Sequence, residues 1–152
     1  MGKRFTTCLI CDDVRNEVSN KTSVIGLYGT ELIVRELPIT LAQLCFVTSV
    51  FTEYDDPVKS LSVRVSYAGE TLNVSPVEKA VLDEWARIDY GVGAEEVEEF
   101  SDDEPPRIRF SVQMTSSPFT ITKEGRLSIH VETERETFRA GSLRVRRGGQ
   151  PV

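Results

Sequence analysis

Apolar and polar residues alternate along most of this chain, with a period of two. In Leu61–Leu72, Leu61, Val63, Val65 and Tyr67 point one way, and Ser62, Arg64 and Ser66 the other. Arg107–Met114 repeats the pattern, with Ile108, Phe110, Val112 and Met114 set against Arg107, Arg109, Ser111 and Gln113. Arg126–Glu134 does so again, with Leu127, Ile129 and Val131 opposite Ser128, His130 and Glu132. Successive side chains on a strand point to opposite faces, so these segments predict strands buried on one side. Phe5–Ile10, Leu44–Thr52 and Gly141–Arg146 read as further strands from their β-branched and apolar content. Thr22–Val34 is one long strand or two, because Gly26 and Gly29 mark a bulge or bend. Ala68-Gly69 predicts a turn into a short return strand, and Glu124-Gly125 a turn after Pro118–Thr122.

The middle of the chain changes character. Ser75, Pro76 and Glu78 form a capping-box pattern, and Val77, Val81, Trp85 and Ile88 recur at helical spacing. A short amphipathic helix or a loop anchored by Trp85 fits this stretch. Glu95–Glu104 then carries seven acidic residues and no basic one, which reads as a solvated loop. Short strands with turn signals between them predict an all-β fold, an antiparallel β-sandwich of about eight strands, immunoglobulin-like or C2-like. Its one insertion is the helix or loop around 76–88. One domain over 1–147 and a flexible tail at 148–152 complete the expected organisation.

Composition narrows the function. The net charge is −6 and the pI about 4.9, whereas a nonspecific nucleic-acid binder is usually basic. No apolar run reaches the ~20 residues that a membrane-spanning helix needs. The apolar stretch after Met1 ends at Asp12 and Asp13, too short for a secretory signal. Gly2 with Thr6 fits a loose myristoylation pattern, but the strand pattern begins at once. Three cysteines, an odd number, suit free thiols in a reducing cytoplasm. The expectation is therefore a cytoplasmic protein with neither nucleic acid nor membrane as partner.

Cys8 and Cys11 have the CxxC spacing of zinc and redox sites. On a strand, residues three apart face opposite ways, so these two thiols would not grip one ion. A thioredoxin-like site needs the motif at a helix N-terminus, and Asp12 and Asp13 would raise the thiol pKa. Buried, unreactive thiols are the expectation. Carboxylates cluster at strand ends: Asp12-Asp13, Asp55-Asp56 and Asp102-Asp103-Glu104. If the strands ran up and down in order, the tips at Asp12 and Asp55 would share one end. Asp12, Asp13, Asp55, Asp56, Asp102 and Asp103 would then be candidate calcium ligands. The competing reading is that Asp favours turns, where it bonds nearby amides. No nucleophile elbow, P-loop or dinucleotide fingerprint is present, and His130 lies alone in mid-strand. A hydrolase with cross-strand carboxylates is the remaining enzymatic alternative. Arg135, Arg139, Arg144, Arg146 and Arg147 load the C-terminal region, which suits docking to an acidic partner or simply a solvated face.

The segment Cys8–Gly29 resembles a family of small, uncharacterised bacterial and phage-borne proteins. The matching residues are Cys11, Asp12, Asp13, Val14, Arg15, Glu17, Asn20, Lys21, Ile25, Gly26 and Tyr28, with Leu44–Val50 and Arg139–Val145 similar as well. The resemblance implies a β-sandwich with a Cys-Asp-Asp-x-Arg turn, a bacterial cytoplasmic setting and no assigned catalytic residues. Asp12, Asp13, Arg15, Glu17, Asn20 and Lys21 are the candidate partner-binding surface, or a turn satisfied within itself. No cofactor is expected. The reading that follows is a non-enzymatic interaction module that binds a protein partner or forms a homo-oligomer through loops or edge strands. The alternatives are a calcium-dependent module and the hydrolase.

Overall fold

A computed structural model describes residues 3–89 and 107–149. The elements are β1 (Phe5–Asn16), β2 (Thr22–Leu27), β3 (Glu31–Val34), β4 (Ile39–Leu41), β5 (Leu44–Glu53), β6 (Leu61–Tyr67), β7 (Glu70–Val77), α1 (Lys79–Asp89), β8 (Arg107–Ser116), β9 (Phe119–Ile121), β10 (Gly125–Thr133) and β11 (Thr137–Arg147). They form a first sheet in the order β2-β1-β5-β8, a second in the order β3-β11-β10-β6-β7, and a small β4-β9 pair. The two large sheets pack face to face as a β-sandwich. Ile10, Phe46, Val50 and Phe110 from the first meet Val63, Val65, Leu127, Ile129, Val131 and Leu143 from the second in one buried core. The alternation of β6 appears directly as burial, since Leu61, Val63, Val65 and Tyr67 are all buried and the residues between them are not.

The chain is more finely divided than expected. Thr22–Val34 is two strands in different sheets, β2 and β3. β3 then pairs with β11 in parallel, an exception in an otherwise antiparallel sandwich. The cause is the crossing: the chain leaves β2 at one sheet's edge and enters the other sheet without a hairpin. Ala68 and Gly69 both have positive φ, 50° and 84°, and form the expected tight β6–β7 turn. At the C-terminus, Gly148 still donates its amide to Val34 at 3.1 Å, so the ladder outlasts the expected boundary at 147.

The capping box at Ser75 does not form. β7 runs on through Ser75 and Pro76, because its register with β6 continues to Leu61↔Val77. Strand pairing takes these residues before a helix can, and an edge strand is where a sheet tolerates proline. The helix begins at Lys79. Its inward residues are Leu82, 1% exposed, and Trp85, whose ring centroid lies 6.1 Å from that of Phe110. The apolar stripe is thus shifted from the expected 77/81/85/88 set. Within that set Val77 is on a strand and Val81 is half-buried.

One end of the sandwich is tied by charge. The side chain of Arg4 is 0% exposed, and its Nη2 lies 2.7 Å from Glu134 Oε1 and 3.4 Å from Asp56 Oδ1. Its Nε donates to Thr52 Oγ1 at 3.2 Å. Arg135 Nη1 holds the other oxygen of Asp56 at 2.8 Å. The amides of Lys59 and Ser60 donate to Glu134 Oε2 at 3.1 and 3.2 Å. The cluster joins the start of β1 to the β5–β6 loop and the β10–β11 turn, so it spans both sheets. Burial alone would raise the Glu134 carboxyl, but the bonds from Arg4 and from the backbone outweigh it and hold it at about 2.

That depressed pKa fixes the direction of an acid response. Unfolded Glu titrates near 4.3, so between about 4.3 and 2 the unfolded chain binds more protons, and stability falls as pH falls through that window. Chemical denaturation at a series of pH values should show this slope. Glu134→Gln should flatten it and cost about 3 kcal/mol at neutral pH by leaving Arg4 undercompensated.

Candidate functional site

The motif-bearing stretch is not a turn but the interior of β1. Pairing of β1 with β5 ends at Cys11↔Cys45, and from Cys11 onward β1 pairs with β2, through Asn16↔Thr22. β1 and β2 thus form a hairpin that leaves β5 behind. Gln113 of β8 donates to Asn16 Oδ1 at 2.9 Å, bringing the far end of β1 to a strand from which β5 separates it in the sheet. The hairpin closes with Glu17 N donating to Lys21 O at 2.7 Å around a single 3₁₀ turn at Val18–Asn20. Ser19 and Asn20 there have φ of 65° and 58°. Asn tolerates that region better than most residues.

Two carboxylates hold this hairpin in different ways. Asp12 sits opposite Gly26, whose φ is +67°, and a Cβ there would lie 2.2 Å from Asp12 Oδ2. Only glycine leaves room for the carboxylate and takes that φ without strain. Tyr28 Oη donates to Asp12 Oδ1 at 2.6 Å. Partial burial, then the Asp12 bond and charge, push the Tyr28 hydroxyl up to about 12. Asp13 Oδ1 accepts from Gln43 Nε2 at 2.9 Å and from the Val14 amide at 3.0 Å. Its other oxygen lies 3.5 Å from Arg15 Nε, a single exposed contact rather than a two-pronged one. Surface pairs of this kind contribute little.

The thiols are divided as strand alternation requires. Cys8 faces the second sheet, where a Cβ on Gly141 would come within 2.8 Å of its own Cβ. Cys11 lies beside Cys45 on the other face, its Sγ 3.8 Å from the Cys45 carbonyl. Burial raises both Cys8 and Cys11. The Thr48 bond partly offsets this at Cys8, while Cys45 and Asp12 add to it at Cys11. Both thiols are held in the neutral, poorly nucleophilic form.

The expected calcium pole is not assembled. β1 and β5 are antiparallel neighbours, so Asp12 and Asp13 lie near the start of β5, whereas Asp56 lies beyond its end, against Arg4. Eight residue steps along the strand lead from Arg4 to Asp12, roughly 27 Å at ~3.4 Å per step. The expectation of a shared end rested on strands following in order, but the chain passes through β3 and β4 before it returns to β1's side. Asp102 and Asp103 lie outside the described residues. Among those described, no group of three His, Cys, Asp or Glu side chains is placed to hold a metal ion. Nor does a carboxylate stand directly opposite another in any described register: Glu53 faces Arg107, Glu132 faces Ser62 and Thr137, and Glu31 faces Arg144. A groove of about 610 Å³ opens between the edge strands β7 and β8, floored by Phe46 and Val65, and none of the residues lining it is ionisable.

The residues that sequence reasoning passed over are apolar. Phe5, Leu9, Val18, Ile25 and Leu27 are five of the eight large hydrophobics left exposed among the described residues, and all five belong to β1, β2 or the turn between them. Val18 at the tip is 85% exposed and Leu27 59%. The register puts Leu27 opposite Cys11 and Ile25 opposite Asp13, on the same side as Leu9. β2 is an edge strand. Unbroken β periodicity makes such residues look like core, so the pattern alone does not flag them.

Residues 6–146 match a family described as "Family of unknown function (DUF6941)". The chain belongs to this family. No curated protein matches it, and no solved structure does. The DUF6941 match covers both sheets and the whole hairpin.

The Asp12–Gly26–Tyr28 lock has a measurable consequence. Gly26→Ala should destabilise the fold by about 1–3 kcal/mol in chemical denaturation, through the positive φ and the collision with Asp12. Tyr28→Phe should cost about 1 kcal/mol, the size of one hydrogen bond.

Proposed function

We propose that this DUF6941 chain is a non-enzymatic protein-interaction module. It binds a protein partner, or a second copy of itself, through the β1–β2 hairpin and the outer edge of β2. The observation that carries the reading is the exposure of Val18, Ile25 and Leu27 on that one element, with Leu9 beside them on β1. Contiguous exposed apolar surface beside polar residues marks interaction sites. An edge strand with unpaired amides and carbonyls adds a backbone template for pairing. β2 has no lysine or proline in its six residues to block such pairing.

The polar residues Asp12, Asp13, Arg15, Glu17, Asn20 and Lys21 all lie on this hairpin, and in this reading a partner meets them together with its apolar side chains. Asp12 and Asp13 first serve the fold, through Tyr28 and Gln43, and so fix the shape that a partner meets. The resemblance to bacterial and phage-borne proteins, together with the odd number of cysteines, supports a cytoplasmic role in a bacterial or phage system.

Size-exclusion chromatography with light scattering, and a pull-down with the tagged protein, test the reading. The wild type should self-associate or retain a partner, and Ile25→Lys/Leu27→Lys should abolish this while keeping the wild-type melting temperature. A strictly monomeric wild type that retains nothing, or a partner indifferent to the double variant, would overturn it.

A further inference from the structure

The other side of the sandwich carries a different surface. On the outer face of the second sheet, registers place side chains in rows that cross the strands. Arg64, His130 and Arg139 form one row, on β6, β10 and β11. Ser66, Ser128 and Ser142 form the next row. Arg126 and Arg144 form a third, directly opposite each other, with Glu31 of β3 beyond Arg144. Like charges directly opposite on neighbouring strands destabilise a sheet, so the Arg126–Arg144 pair works against stability.

Among the described residues, local carboxylates offset only part of the charge. Arg64 pairs with Glu132 at 3.1 Å and Arg146 with Glu31 at 3.2 Å, while Glu31 lies 4.0 Å from Arg144. Arg126 reaches Ser142 Oγ at 3.3 Å, a neutral acceptor. His130, the chain's single histidine, has a buried Nδ1 with no hydrogen-bond partner among the described residues. Burial, then Arg64 and Arg139, lower its pKa, while Glu132 opposes them. The serines are small and the arginines long, so the serine row lies low between the two cationic rows, with Arg126 reaching over it onto Ser142. The cationic rows stand about 14 Å apart, four residues along a strand, and each crosses neighbouring strands at about 5 Å spacing.

We propose that this face binds an acidic peptide segment of a partner protein, laid along the serine row between the two cationic rows. Arginine forks onto carboxylates, and serine hydroxyls donate to the remaining oxygens. A peptide fits better than nucleic acid. Glu132 and Glu31 stand on the same face and interrupt the cationic rows, which disfavours a continuous phosphate chain. A peptide's carboxylates are discrete and can settle between them. The surface is separate from the hairpin, so each reading can fail alone.

The test is fluorescence anisotropy of the full chain with a short labelled peptide of alternating glutamate and serine, in low salt. The peptide should bind, and Arg126→Glu/Arg139→Glu should weaken binding by about tenfold or more. Lys79→Glu/Arg87→Glu, the same change of net charge on α1 and away from this face, should leave binding within about twofold. Ring-proton NMR of His130 gives a second readout that needs no variant: the peptide should shift its resonances and raise its apparent pKa, because carboxylates nearby favour the charged imidazolium. Should the charge reversal fail to fold, Arg126→Gln/Arg139→Gln carries the comparison. No binding, equal loss in both double variants, an unmoved His130 signal, or tighter binding of a single-stranded oligonucleotide than of the peptide would each overturn the proposal.

Discussion

A buried guanidinium at the start of β1 sets the terms for the rest of this sandwich. Arg4 is withdrawn from water just before the first strand begins, and its charge is met by Glu134, far along the sequence, and by Asp56 of the β5–β6 crossing. A buried ion without its partners is far more costly than the pair is favourable, so the cluster acts as a condition on assembly. The β10–β11 turn must arrive with Glu134, and the β5–β6 loop must present Asp56 and the amides of Lys59 and Ser60. When they do, the β1 end of the first sheet is pinned to the second, and the facing apolar surfaces of β5, β6, β8 and β10 close between them.

With one end of β1 fixed in that way, its far end parts from β5. It does so at Cys11, where the partner changes from β5 to β2. The hairpin so formed has little core beneath it, and its geometry comes from polar contacts instead. Asp12 over Gly26, Tyr28 on Asp12 and Gln43 on Asp13 do locally what hydrophobic burial does elsewhere. That is the physical content of the Asp-Asp and Ile-Gly-x-Tyr pattern: it is a shape-fixing device, and apolar residues beside it stay exposed.

The sandwich therefore presents two unlike exteriors. One carries exposed leucine, isoleucine and phenylalanine on a hairpin and an edge strand, while the other carries crossed rows of arginine and serine. Both arise from one rule, since each strand buries one set of alternate residues and offers the other outward. What differs is the composition of the outward set, apolar on β1 and β2 and cationic or hydroxylic on β6, β10 and β11.

Alternation at Leu61–Tyr67, Arg107–Met114 and Arg126–Glu134 was enough to establish strands, their inward residues and the sandwich class, because side-chain direction on a strand is a local property of the backbone. The Ala68-Gly69 turn was equally local. Ser75 and Pro76 were misleading for the opposite reason: a capping box and an edge strand compete for the same residues, and pairing with β6 decides between them. Which strands become neighbours is likewise a non-local matter. The passage through β3 and β4 brings β5 back antiparallel to β1, sends Asp12 and Asp56 to opposite ends, and lines up arginines from positions 64, 126, 139 and 144 on one face. Sequence spacing holds no trace of that arrangement, because it is set by which apolar surfaces bury each other and where the charge of Arg4 finds its carboxylates.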